Sequence, residues 1–301
     1  MPITAPDGDL YVSPLYLAGC TFTGDPALTP LIDHGFALHD DELANVYVSS
    51  PQRHIRLGYL PEGEDDTLWK VAVHADPFGP PHWMATFDTP TPTELVAAFT
   101  TTLASSYTKG PDAYLSGMDH PIDEALRPLT RAGWQRTDTW AATTCTAPDQ
   151  LAGLTYSRRL PNSQAELHSD THRWLLWGGK DGYHSRWHAT FTSRTPIHLI
   201  AATTARLADP TPVLRYAPEV PSRNRGAAHI TPVAPPDTDS IGCPPSRCRP
   251  RSHHHSPGCR ACPYGGDSIR SQRRSSDPRL PASITDVPPQ GDSMTGALDV
   301  P

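Results

Sequence analysis

Residues 83–104 read WMATFDTPTPTELVAAFTTTLA, and residues 187–208 read WHATFTSRTPIHLIAATTARLA. Set side by side without a gap, they share Trp83/Trp187, Ala85/Ala189, Thr86/Thr190, Phe87/Phe191, Thr91/Thr195, Pro92/Pro196, Leu95/Leu199, Ala97/Ala201 and Leu103/Leu207. Upstream, Pro30-Leu31 and Gly35-Phe36 match Pro128-Leu129 and Gly133-Trp134, while Trp69 and Trp174 fall at similar distances before the second tryptophan of each unit. Self-similarity of this kind marks a repeated structural unit. The chain is a tandem duplication, roughly 25–106 and 121–210. Two units of about 85 residues each fit small α+β domains.

Each unit reads as helix, antiparallel meander, helix. Thr29-Pro30 is expected to open a short helix that Gly35 closes, since proline suits a first turn and glycine a left-handed stop. Extended segments follow at Ala44–Ser50, His54–Leu60, Leu68–Ala75 and His82–Thr89, where side chains alternate as a half-buried strand requires. Thr91-Pro92-Thr93-Glu94 has the form of a capping box, with Thr91 as cap and Glu94 reaching back. Leu95, Phe99 and Leu103 then recur every four residues and define one apolar stripe over about 92–104. The second unit repeats this over about 196–208, with His198 in place of Glu94. Residues 106–120 read as a linker.

Composition changes near residue 216. Residues 1–216 hold 15 Lys and Arg against 24 Asp and Glu, and residues 217–301 hold 10 Arg against 8 acids. The later stretch also carries 15 prolines and no tryptophan. It is expected to be disordered, because scattered apolar residues cannot offset the entropy of ordering a backbone. The expected organisation is a first repeat domain over 10–110, a second over 120–215, and a Pro/Arg/Ser-rich tail over 217–301.

The twice-occurring pattern W-x-A-x-F, then T-P-x-x-L and A-A-x-T-x-x-L-A, lies downstream of P-L-x-x-x-G-aromatic, and the chain opens on Tyr11-Val12-Ser13-Pro14-Leu15-Tyr16-Leu17-Ala18-Gly19. Over residues 10–215 this resembles the domain of unknown function 317 family of high-GC filamentous bacteria, which often occurs as tandem copies. The resemblance implies the duplication and brings no activity or site residue with it.

The motifs of chemistry are weak. There is no Gly-x-Ser-x-Gly elbow, no phosphate-cradling glycine loop and no His-Glu-x-x-His in the first 216 residues. Cys20 and Cys145 stand alone and read as packing residues. His82 and His188 flank Trp83 and Trp187 on opposite sides, so they are not equivalent in the repeat and read as boundary residues. In the tail, Cys243, Cys248, Cys259 and Cys262 surround His253, His254 and His255. Zinc favours such ligands, but only the second cysteine pair has the two-residue spacing. A disordered or frame-altered tail ranks above a zinc knuckle. Eight arginines between 241 and 280 allow weak, salt-sensitive contact with nucleic acid. Of the seven tryptophans, Trp140 and Trp177 have no counterpart in the first unit, so they are the candidate binding residues.

The chain therefore reads as an α+β protein of two tandem repeats, each a small antiparallel meander with a C-terminal helix. The first-ranked function is a non-catalytic protein-interaction module with an unknown protein partner. Alternatives are a small-molecule binder or unrecognised enzyme with a cleft between the repeats, and a nucleic-acid accessory protein acting through the tail. Whether it is an enzyme stays open, with the balance toward not. No catalytic residue, cofactor or metal is assigned. No apolar run spans a membrane and the N-terminus has no secretory pattern, so the expected location is the cytoplasm.

Overall fold

The computed structural model describes residues 8–21, 23–63, 66–116, 121–159, 162, 165–167 and 172–233. The tail from 234 to 301, with its four cysteines and arginine run, lies outside the described residues. The chain begins with β1 (Asp9–Ser13) and a single 3-10 turn over Leu15–Leu17. The first repeat follows as α1 (Asp25–Ile32), β2 (Ala37–Asp40), β3 (Val46–Ser49), β4 (Ile55–Tyr59), β5 (Thr67–Val73), β6 (Trp83–Asp88) and α2 (Thr93–Lys109). A short α3 (Pro111–Leu115) leads to the second repeat. This comprises α4 (Asp123–Arg131), β7 (Gln135–Asp138), β8 (Ala142–Thr146), β9 (Ala152–Ser157), β10 (Trp174–Gly178), β11 (Trp187–Phe191) and α5 (Ile197–Ala208). Then come β12 (Val213–Tyr216) and β13 (His229–Pro232), which flank β1 in a separate three-stranded antiparallel sheet.

The two meanders do not form separate sheets. They join edge to edge through β6 and β11 into one ten-stranded sheet, ordered β2-β3-β4-β5-β6-β11-β10-β9-β8-β7. The junction pairs Phe87 with Ala189, Thr86 with Thr190, and Ala85 with Phe191. Thr86 and Thr190 are themselves repeat partners, so the duplication's two-fold axis passes between them. Their hydroxyl oxygens lie 2.7 Å apart. The axis relates further bonds across the seam. The Met84 carbonyl accepts from the Thr195 hydroxyl at 3.3 Å, and its equivalent, the His188 carbonyl, accepts from the Thr91 hydroxyl at 3.4 Å.

The helices cover one face. Trp69, Trp83, Phe87, Trp174, Trp187 and Phe191 point to that side and are buried, as are Leu95, Phe99, Leu103, Leu199 and Leu207. Phe99 of α2 stacks on Phe191 of β11 at 5.8 Å, so a repeat-one helix packs on a repeat-two strand and the core runs through the seam. The alternate positions, among them Thr86, Thr190 and Trp177, occupy the opposite face and keep part of their surface.

Several sequence expectations need correction. The first helix begins at Asp25 with Pro26 in its first turn, and Pro30 lies inside it. Helix α2 begins at Thr93 with no side-chain cap. Glu94 is drawn instead to Arg215, whose Nη1 and Nη2 donate to its two carboxylate oxygens at 2.6 Å each. Residues 106–116 are not a bare linker. Helix α2 runs on to Lys109, and the carbonyl of Tyr114, a buried residue, accepts from the indole N–H of Trp83 at 2.8 Å. The repeat-related Trp187 donates to the Tyr16 carbonyl at 3.1 Å. Residues 217–233, expected to be disordered, pack on the rest of the fold. Val220 and Asn224 are buried, and the Asn224 amide donates to the Leu17 and Ser185 carbonyls. A few well-placed anchors and the β1 edge order this stretch despite its proline content.

Candidate interaction site at the repeat seam

Two hairpins border the seam. One joins β5 to β6 and the other joins β10 to β11, and the antiparallel seam places them at its opposite ends. The last paired residues before the turns are Val73 and Gly178. Five residues beyond each stands an aromatic side chain, Phe78 in one hairpin and Tyr183 in the other. Phe78 is 99% exposed and Tyr183 77% exposed. In the first turn the Asp76 carboxylate accepts from the Phe78 N–H at 3.1 Å, fixing the tip, and Arg56 donates to the Pro77 carbonyl at 2.6 Å. In the second, Asn224 accepts from the Lys180 N–H at 2.9 Å and Arg223 donates to the Asp181 carbonyl at 3.0 Å. The tips are therefore held by their own backbone bonds and by neighbouring side chains, while the rings remain in solvent.

The β10–β11 hairpin also closes a notch against the end of β6. A cavity of about 190 Å³ is lined by Asp66, Asp88, Thr89, Pro90, Gly182, Tyr183, His184, Arg186 and His188. Asp88 Oδ2 accepts from the His188 N–H at 3.0 Å and faces its Nδ1 at 3.1 Å, so one carboxylate orients both backbone and ring. Arg186 is bound to Asp181 and lies over the Trp177 ring at 4.6 Å. His184 takes a left-handed backbone conformation, φ 54°, and its ring lies 3.8 Å from that of Tyr183.

The two-fold axis supplies an internal comparison. At the other end of the seam Thr192 stands where Asp88 does, and Met84 where His188 does. Thr192 Oγ1 accepts from the Met84 N–H at 3.0 Å, a hydroxyl doing the work of the carboxylate. Glu166 fills that end, its buried carboxylate accepting from the N–H and hydroxyl of Ser193. The charged pair is thus a feature of one end alone.

The two candidate tryptophans are not brought together. Trp140 is 78% exposed in the β7–β8 turn at the outer side of the second repeat, with Arg159 over its ring at 5.1 Å. Trp177 lies beside the seam on β10, paired with His188. Its indole lies over Gly153, where an added Cβ would come within 2.6 Å of the ring. The sequence reading missed Asp88, His188, Phe78 and Tyr183. Asp88 and His188 meet only because β6 pairs with β11, which no local pattern announces. The equivalence of Phe78 and Tyr183 was hidden by the difference in loop length between the two hairpins.

Burial pushes the thiols of Cys20 and Cys145 above the ordinary cysteine range. Among the described residues no group of three or more His, Cys, Asp or Glu side chains is arranged to hold a metal ion, and no helix is long and apolar enough to cross a membrane.

Residues 49–108 and 146–213 each match the family described as SPDY, domain of unknown function (DUF317). The two matches lie in tandem, one in each repeat. The matched segments take in β4–β6 with α2 and β9–β11 with α5, the strands and helices that build the seam. Comparison with curated proteins and with solved structures found no match.

Proposed function

We propose that the protein is a non-catalytic interaction module that engages another protein through the two hairpins at the ends of its repeat seam. The observation that carries this reading is the pair Phe78 and Tyr183. A buried aromatic kept in both repeats is accounted for by packing. An exposed one is not, because it contributes nothing to the core and presents apolar surface to water at both tips. Rigid aromatic side chains are efficient contact residues, since they bury a large area for two rotatable bonds. A protein partner suits these tips better than a polyanion. Residues 1–216 carry nine more acids than bases, and a body of that charge repels nucleic acid. A lipid surface is also a poorer fit, because each tip pairs a single aromatic with an aspartate, Asp76 or Asp181.

The test is affinity capture from native lysate by the full chain, compared with Phe78→Ala, Tyr183→Ala and the double variant. Both rings are exposed, so the variants are expected to unfold within about 0.5 kcal/mol of the parent, as surface changes usually do. The reading expects a defined protein that is retained by the parent, weakened by each single change and lost with both. Equal capture by parent and double variant overturns it.

A further inference from the structure

The notch beside the β10–β11 hairpin has an uneven account of hydrogen-bonding capacity. Its one permanent cation, Arg186, is already matched by Asp181 and covered on one side by Trp177. Asp88 spends one oxygen on His188. Among the described residues, what stays without a protein partner is the other Asp88 oxygen, the Asp66 carboxylate, His188 Nε2 and the ring nitrogens of His184. The carboxylates are acceptors, and the two that line the notch, Asp66 and Asp88, outnumber Arg186. A ligand that complements them brings N–H donors and positive charge, because charge-assisted hydrogen bonds to carboxylates are the strong ones. The size of the space limits it further. Drug-sized and cofactor ligands occupy about 300–1,000 Å³, while this cavity measures about 190 Å³.

We infer that this notch is a binding site for a compact organic cation, a guanidinium or primary ammonium group, held by Asp88 and Asp66 with His188 Nε2 as a further acceptor. The opposite end of the seam is the built-in contrast: Thr192 and Met84 replace Asp88 and His188 there, and Arg194 lies 3.4 Å from the His82 ring, so the equivalent positions bring a cation in place of a carboxylate. The site does not depend on the hairpin tips docking a protein.

The experiment titrates methylguanidinium into the full chain at constant ionic strength and follows the His188 ring signals by NMR, with inorganic phosphate as the opposite-charge probe. The site predicts a saturable shift at pH 7.5 and none with phosphate. Asp88→Asn should weaken binding at least tenfold. Asp66→Asn, at an exposed side chain with no protein partner, should weaken it several-fold and decides the matter if Asp88→Asn fails to fold. Unchanged titration in Asp66→Asn and any folded Asp88→Asn, saturation by phosphate in place of the cation, or no saturable shift at all overturns the inference.

Discussion

Glu94→Gln separates two accounts of the start of α2. If Glu94 served as the reciprocal member of a capping box, glutamine would replace it at little cost, since both residues fill that position. In the structure Glu94 is instead the counter-ion of Arg215, whose side chain is fully buried while Glu94 keeps 24% of its own surface. Arg215 also donates to the Gly19 carbonyl at 3.0 and 3.3 Å, so it ties β12, the segment after β1, and α2 together. Removing one charge of a buried pair leaves the other uncompensated and costs about 3–5 kcal/mol. Glutamine retains one acceptor and water reaches Glu94, so the low end applies, about 3 kcal/mol. For a fold of about 150–250 residues, where 1 kcal/mol shifts Tm by about 2–4 °C, this is a fall of roughly 6–12 °C. Equilibrium urea unfolding and thermal circular dichroism of the full chain measure both. Pairing Glu94→Gln with Arg215→Met should recover most of the loss, because removing a whole buried pair is often nearly neutral. A Glu94→Gln chain within about 0.5 kcal/mol of the parent, the scale of an ordinary surface change, would refute the ion-pair reasoning.

Other outcomes follow from the same geometry. Leu103→Ala, at a fully buried position, should cost about 2–5 kcal/mol by urea unfolding, well above Thr91→Ala, whose side-chain bond among the described residues is the 3.4 Å contact across the seam, worth about 1 kcal/mol or less. Gly153→Ala would push a methyl into the Trp177 ring and should cost about 1–3 kcal/mol, as overpacking does, with a change in tryptophan fluorescence. Asp138 is held at about 2 by hydrogen bonds from Arg136 first, then Thr143 and Arg158. A lowered carboxylate pKa contributes stability that is complete above the unfolded value, near 3.9, and is lost as pH falls through about 2. Carboxyl NMR titration of Asp138, compared between the parent and Arg136→Gln, checks this.

The duplication was the legible part of the fold. Trp83/Trp187, Leu95/Leu199 and Leu103/Leu207 could be aligned by eye, and with them came the meanders and their C-terminal helices, because periodicity reports directly on burial. The seam was not legible. Nothing in WMATFD or WHATFT says that the two strands pair with each other, since Ala85, Thr86 and Phe87 suit an edge strand as well as a central one. The capping-box reading of Thr91 and Glu94 failed for a related reason. The local pattern is sound, but Arg215 lies far along the chain and out-competes a helix N–H for the carboxylate. Tyr114 reads as linker in the sequence because its role is to present a backbone carbonyl to Trp83, which no side-chain pattern encodes. The stretch 217–233 shows the limit of composition: its proline content suggested disorder, while Val220, Asn224 and the pairing of β13 with β1 fix it. His188 reads as a boundary histidine in the sequence because its partner Asp88 comes from the other repeat.

The interaction reading is tested most directly by photo-cross-linking. A photoreactive phenylalanine analogue is placed at position 78, at position 183, or at Thr101 on the exposed side of α2, and adducts are collected in native lysate. The account predicts that positions 78 and 183 yield adducts with the same protein and that position 101 does not. Adducts absent from both hairpins, or equally abundant at position 101, would contradict it.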